Sequence, residues 1–471
     1  MAVILSLPRC LSVLMIVSLF VASDSSVFGE TGGNLDKGMI ELHPAVEAFF
    51  GSDDPFIQET VIPNIDRYNR GDAELQILSS KGEPASGVEV HAKLVRHRFL
   101  FGCSAPSEVV EPGPVQDSWL GLWEAGTSRF LMKWSHIEKI EGVRDFSRVD
   151  SLVDFFHEHG FPVEFHFLTG YHPEWLKEKS PEEKAALQRA HTLEVIERYR
   201  DRVDYFQLYN EIWKTHIELG EVFFDPQEFL AEIREKYPDL ELGICDCWWF
   251  GERLPSPDIV RQKFPGIDYV GMHGHKPRQI WITPAELYDS FASYVDSDLK
   301  IHVTEFGIHT GKIETLAELV ANQAEMKHWL QFKLPTATPV GEGLPAPTGE
   351  WTDERRAEYF VQLVATCFSH PSVRGFNFWG MGPTPRPYIL GNRLIDDQYR
   401  PLPPYEALQS LIKGKLTTEI RTKADDTGRV KFRGYYGEYE VTVSHESGTK
   451  KTYRINLSPR SLSHKIELSK R

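Results

Sequence analysis

Two glutamates stand where short apolar runs stop. Glu211 follows the run 205–209 and Asn210, and Glu305 follows 301–303 and Thr304. Other polar or aromatic residues sit at comparable places: Lys133, His166, His273, His275 and Trp379. A carboxylic acid that protonates a glycosidic oxygen, with a second carboxylate across the bond, is the equipment that cleaves a sugar acetal. One glutamate at the end of a buried run is more often structural. Two of them, with histidine, asparagine and tryptophan alongside, point to chemistry.

Such residues must be carried to one place by the elements that end there. Eight short apolar runs, at 99–103, 129–134, 163–168, 205–209, 242–246, 269–272, 301–303 and 375–379, alternate with helix-length amphipathic segments such as 150–159, 181–199, 226–237, 284–295 and 355–369. Continuous apolar strands need helices on their outer faces, so the alternation predicts an α/β fold, a (β/α)₈ TIM barrel over 99–416. An open doubly wound sheet would want a glycine-rich turn after its first strand, and none is present. In a barrel the strand ends and following loops share one mouth, which places Glu211 and Glu305 across it.

Both flanks read differently. Residues 30–66 look irregular, broken by Gly, Asp and Pro. Residues 67–98 alternate with period two around a turn, which predicts a hairpin, and 417–471 repeat that pattern. Together the flanks predict a small β-sandwich-like accessory domain, a structural spacer in preference to a sugar-binding module on Tyr435 and Tyr436. A Pro- and Gly-rich stretch at 334–350 is a lid or a loose excursion.

The 471 residues carry 52 Lys and Arg against 68 Asp and Glu, a formal charge of −16, which argues against nucleic acid as a partner. Arg9, the apolar stretch 11–22 and the small residues after it read as a signal peptide over 1–29, too short to span a bilayer, so an exported chain is expected. With Cys10 removed, Cys103, Cys245, Cys247 and Cys367 are expected as buried thiols. No metal site and no cofactor is expected.

The stretches Met132-Lys-Trp, Gly142 to Phe146, Tyr209-Asn-Glu211, Val303-Thr-Glu305, Gly375-Phe-Asn-Phe-Trp-Gly380 and Leu394-Ile-Asp-Asp-Gln-Tyr-Arg-Pro-Leu-Pro-Pro-Tyr405 resemble the family-10 glycoside hydrolases, retaining endo-β-1,4-xylanases, in order from Phe99 to Lys413. The resemblance implies Glu211 as acid/base and Glu305 as nucleophile. It also implies Asn210 on the sugar 2-hydroxyl, His275 holding the nucleophile, and Lys133, His166 and Trp379 lining the glycone subsites. The two roles make chemical sense: an acid keeps its proton near another negative group, and a nucleophile must be ionised. The implied partner is a xylan-like polysaccharide, taken up by a monomer with no membrane span.

Departures fall in the subsites. The family's Glu-Asn-Glu is Arg129-Phe130-Leu131 here, its Phe-Gln-Ser-His is Met272-His-Gly-His275, and its Asn-Asp-Tyr-Asn is Cys245-Asp-Cys-Trp248. The third strand reads His166-Phe-Leu-Thr-Gly-Tyr-His172, which puts Tyr171 in place of a tryptophan beside His172. The expected activity is therefore retaining cleavage of internal β-1,4 linkages in xylan or a related polysaccharide. The rival reading is a barrel that binds polysaccharide without cutting it, although two carboxylates held close together serve no binding protein.

Overall fold

The computed structural model describes residues 41–212, 223, 225–246, 252–274, 280–308, 338–339, 344–345, 352–382, 393–444 and 450–468. The segment 1–29, Cys247, His275 and most of 334–350 lie outside them. Two helices come first, α1 (Pro44–Phe50) and α2 (Ile62–Asn69). Residues 30–66 were expected to be irregular, yet their prolines fall in first helical turns, where the missing N–H costs nothing.

Strands β1 (Arg70–Leu78) and β2 (Glu89–His97) follow, then the barrel strands β3 (Leu100–Ala105), β4 (Ala125–Ser128), β5 (Glu164–Thr169), β6 (Tyr205–Tyr209), β7 (Leu242–Asp246), β8 (Tyr269–Met272), β9 (Lys300–Phe306) and β10 (Val373–Phe378). These eight form one parallel sheet in the order β4-β3-β10-β9-β8-β7-β6-β5, and a parallel bridge between Gly126 and Val163 joins its two edges. The sheet is a closed (β/α)₈ barrel. Helices α3 (Pro114–Leu120), α4 (Ser147–Glu158), α5 (Pro181–Tyr199), α6 (Pro226–Lys236), α7 (Pro257–Lys263), α8 (Pro284–Asp289), α9 (Asp353–Ser369) and α10 (Pro403–Gln409) occupy the connections and the end of the barrel. Helix α5 starts from a reciprocal cap in which Ser180 Oγ accepts from the Glu183 N–H and the Glu183 carboxylate accepts from the Ser180 N–H.

The second barrel strand is not at 129–134. It is the small-residue run Ala125-Gly-Thr-Ser128, wholly buried, and Lys133 lies beyond it as the cap of a single helical turn, Trp134–Ile137. Small side chains are required there because a Cβ on Gly126 would sit 2.2 Å from the ring of Phe156 on α4. The expected helix at 284–295 divides into α8 and a separate turn, Ala292–Tyr294.

The flanks supply two further sheets, using β11 (Glu419–Lys423), β12 (Arg429–Tyr435), β13 (Gly437–Ser444), β14 (Lys450–Leu457) and β15 (Ser463–Glu467). Strands β1 and β2 do not pair as the expected hairpin: β1 lies between β12 and β15, whereas β2 lies between β11 and β13, with β14 beyond. Each half of the N-terminal flank is thus completed by the C-terminal one. Among the described residues no helix is long and apolar enough to cross a membrane.

Candidate active site

Strand β6 ends at Tyr209, and the backbone then turns so sharply that Glu211 adopts φ +45°, a left-handed conformation that costs a non-glycine residue energy. Strand β9 carries Glu305 as its penultimate residue. Both point into the same space, because His273, just past β8, touches each of them. Its Nε2 is 3.0 Å from Glu305 Oε1, and its Nδ1 is 3.6 Å from Glu211 Oε1. Both are ion-pair proximities, the closer one to Glu305. The Glu305 side chain is 7 % exposed and that of Glu211 18 %, so the deeper carboxylate is Glu305.

A polar chain runs behind this pair. His166, fully buried in β5, places Nε2 3.3 Å from Glu305 Oε1 without the alignment of a hydrogen bond. Its Nδ1 meets Gln207 Oε1 at 3.3 Å, and Gln207 Nε2 donates to Asn210 Oδ1 at 2.7 Å. Asn210 Oδ1 also lies 3.2 Å from His273 Nε2. Burial drives the His166 pKa down to about 3, so this imidazole is neutral at ordinary pH. Cys245, also buried, has its thiol pushed up to about 11 by burial and contacts Thr304 Oγ1 at 3.3 Å. It is an inert thiol, as are buried Cys103 and Cys367.

Aromatic and cationic groups form the walls. Trp379 packs edge-on to His166 with ring centroids 4.8 Å apart, and the Arg129 guanidinium lies 5.4 Å from the Trp379 ring centroid. Lys133 is buried and places Nζ 3.5 Å from the centroid of the Tyr171 ring, which is itself half exposed at φ +48°. His172 belongs to a neighbouring cluster: it packs edge-on to Trp134, stacks on Phe223 and meets Gln188 Nε2 at 2.6 Å.

The structure therefore brings Glu211, Glu305, Asn210, His166, His273 and Trp379 together, with Lys133 and Tyr171 on one wall, and sets His172 among packing residues. His275 lies outside the described residues. Sequence reasoning missed Gln207, whose signal was a lone amide in the otherwise apolar run Tyr-Phe-Gln-Leu-Tyr.

Residues 93–225 match the model of glycosyl hydrolase family 10. That stretch contains Lys133, His166 and the Asn210-Glu211 pair, and ends before Glu305. Among curated proteins, the anti-sigma-I factor RsgI6 of Acetivibrio thermocellus is 22% identical over 440 residues, covering 90% of this chain and 51% of that protein. A β-1,4-xylanase from Dictyoglomus thermophilum is 27% identical over 207 residues, 38% of this chain and 54% of the relative. The chain thus spans about half the length of these relatives. Among solved structures, native xylanase 10B from Thermotoga maritima aligns with a TM-score of 0.49 at 17% identity, covering 68% of this chain and 96% of that one.

Proposed function

We propose that this protein is a retaining glycoside hydrolase that cuts internal β-1,4 linkages of xylan or a closely related polysaccharide, working outside the cell after export. The observation that carries the reading is the single imidazole of His273 between two carboxylates on different strand ends. Glu305, the more enclosed carboxylate and the one closer to His273, is the nucleophile that attacks the anomeric carbon. Glu211, the more open one, protonates the leaving oxygen and then takes the proton of the incoming water.

The surroundings divide the remaining work. Gln207 engages Asn210 Oδ1, so the amide nitrogen is the end of Asn210 with protons to offer a sugar 2-hydroxyl. Trp379 presents a flat face to the sugar bound over the nucleophile, and Lys133, held against Tyr171, supplies donors on the glycone side. Tyr171 stands at the mouth as a stacking surface.

A second reading has one observation in its favour. The relative matched over most of this chain is named as an anti-sigma factor, which is not an enzyme name, so the barrel could bind polysaccharide without cutting it. The separating experiment is incubation with arabinoxylan, glucuronoxylan, mixed-linkage glucan and mannan, sizing the products and following the first-formed anomer by proton NMR. The hydrolase reading expects oligosaccharides from the xylans, released first as the β-anomer. Binding without products supports the second reading, and a first-formed α-anomer excludes the covalent route.

A further inference from the structure

Four polar side chains stand in a row behind the carboxylates: His166 in β5, Gln207 in β6, Asn210 just past β6 and His273 just past β8, none more than 6 % exposed. His166 and Gln207 are direct neighbours in the parallel ladder between β5 and β6, so their side chains leave on the same face. Asn210 lies three residues beyond Gln207, an offset that in a regular strand points to the opposite face. The ladder between β6 and β7 shifts register between Gln207 and Tyr209, and the two amides meet.

Each of these groups has few protons to give, so the direction of one hydrogen bond fixes the next. A neutral imidazole has one N–H and one bare nitrogen, and a primary amide has a donor end and an acceptor end. His273 Nε2 lies 3.0 Å from Glu305 Oε1 and 3.2 Å from Asn210 Oδ1. A bare nitrogen there would oppose the carboxylate, so Nε2 carries a proton and Asn210 turns its oxygen toward it. That oxygen also accepts from Gln207 Nε2 at 2.7 Å, which leaves the Gln207 oxygen facing His166 Nδ1 at 3.3 Å. Burial outweighs the charge of Glu305 and, with Lys133 and His273 nearby, keeps the His166 ring neutral. Its one proton is therefore on Nδ1. His166 Nε2 is bare, 3.3 Å from Glu305 Oε1 and without a hydrogen-bond partner among the described residues. In the reverse polarity both amides turn over, and the bare nitrogen would sit at 3.0 Å from the same carboxylate oxygen instead of 3.3 Å.

Resting on the glycosidase reading above, we propose that Gln207 is a positioning residue whose amide dictates which nitrogen of His166 and of His273 carries a proton. It keeps His273 Nε2 a donor beside Glu305, and it keeps His166 Nε2 an acceptor for a hydroxyl of the sugar over the nucleophile. Both tasks need one donor end and one acceptor end on a side chain of this length. A carboxylate in its place has two acceptor ends: one would draw a second proton onto His166, and the other would turn Asn210 over and take its oxygen away from His273.

Nitrogen NMR of the intact protein with isotope-labelled histidines reads the tautomers without turnover, and His166→Asn and His273→Asn assign the signals. At neutral pH the wild type should show His166 with a proton on Nδ1 alone. Gln207→Glu, which preserves volume, should show His166 protonated on both nitrogens. Gln207→Met, which preserves length without either polar end, should mix its two neutral tautomers. A wild-type His166 protonated on Nε2 overturns the inference, as does the wild-type His166 spectrum persisting in either variant. On an aryl xyloside both variants should lose at least about tenfold in kcat with KM within about threefold, because hydrogen bonds to the 2-hydroxyl strengthen in the transition state. A loss confined to KM, or no loss, overturns the positioning role. The expected tautomers in a protein that cuts no xylan uphold the assignment and count against the hydrolase reading alone.

Discussion

His273 is the residue on which the two carboxylates meet, and removing it should be felt in turnover. Loss of a close polar contact to a charged group costs about 1.5–3 kcal/mol, so His273→Ala should lower kcat/KM about 10- to 100-fold. His273→Gln keeps a donor and should lose less; equal losses in the two variants would mean that the ring only fills space. Phe130, more than a third exposed, stands where the resembling family has an amide. Restoring it as Phe130→Asn should raise kcat/KM on neutral xylo-oligosaccharides about two- to tenfold, the value of one hydrogen bond, with steady-state kinetics as the check. At this scale the sequence was informative wherever a polar residue interrupts or ends an apolar run: Glu211, Glu305 and His166 are all marked in that way. It was poor at saying which way a ring faces. His172 sits only six residues from His166, yet it turns into the packing of Trp134 and Phe223, a choice made by neighbours distant in sequence.

Strand β4 shows how an element can be invisible to hydrophobic patterning. The run Arg-Phe-Leu-Met-Lys-Trp looks like a strand, whereas the true strand, Ala-Gly-Thr-Ser, has little apolar surface of its own. Its place is set from outside by the Phe156 ring on α4, which occupies the space of the missing Gly126 side chain. Gly126→Ala should therefore overpack the seam where β4 meets β5 and cost about 1–3 kcal/mol, read as a lower denaturant midpoint at unchanged slope. No change in midpoint would mean that α4 shifts without cost. The strands at 205–209, 242–246 and 269–272 were legible to the residue, because there the apolar run and the strand coincide.

At the level of the whole molecule, the flanking sheets and the barrel belong to one compact unit, residues 39–471, and a buried ionic cluster ties them together. Glu124, just before β4, accepts from the His97 backbone N–H at 2.7 Å and lies 2.9 Å from His97 Nδ1 at the end of β2, and it pairs with Lys413. His97 Nε2 reaches the Leu416 carbonyl at 2.5 Å. Burial raises the Glu124 pKa, but His97 and Lys413 outweigh it and hold the carboxylate at about 2. A folded-state value below the unfolded one stabilises above the unfolded pKa of 4.5 and is lost as pH falls toward 2. Glu124→Gln should thus cost about 3–5 kcal/mol at neutral pH and flatten the loss of stability between those limits. Denaturant midpoints measured across pH check both effects, and a variant with the wild-type acid slope would refute the assignment. Nothing local in the sequence announces this joint, since its three residues come from three separate regions of the chain. The same holds for β1 and β2, whose alternation reads as a hairpin although each strand finds its partners in the C-terminal tail.

The proposed division of labour between Glu211 and Glu305 is tested most directly by azide rescue of Glu211→Ala on an aryl xyloside with a good leaving group. Such a substrate needs little protonation to form the glycosyl-enzyme, so the variant should carry out the first step and stall at the second. Azide should then restore turnover and give a β-glycosyl azide, while Glu305→Ala without azide stays inactive on every substrate. An α-glycosyl azide from Glu211→Ala would make Glu211 the nucleophile, and turnover by Glu305→Ala would rule out the covalent intermediate on Glu305.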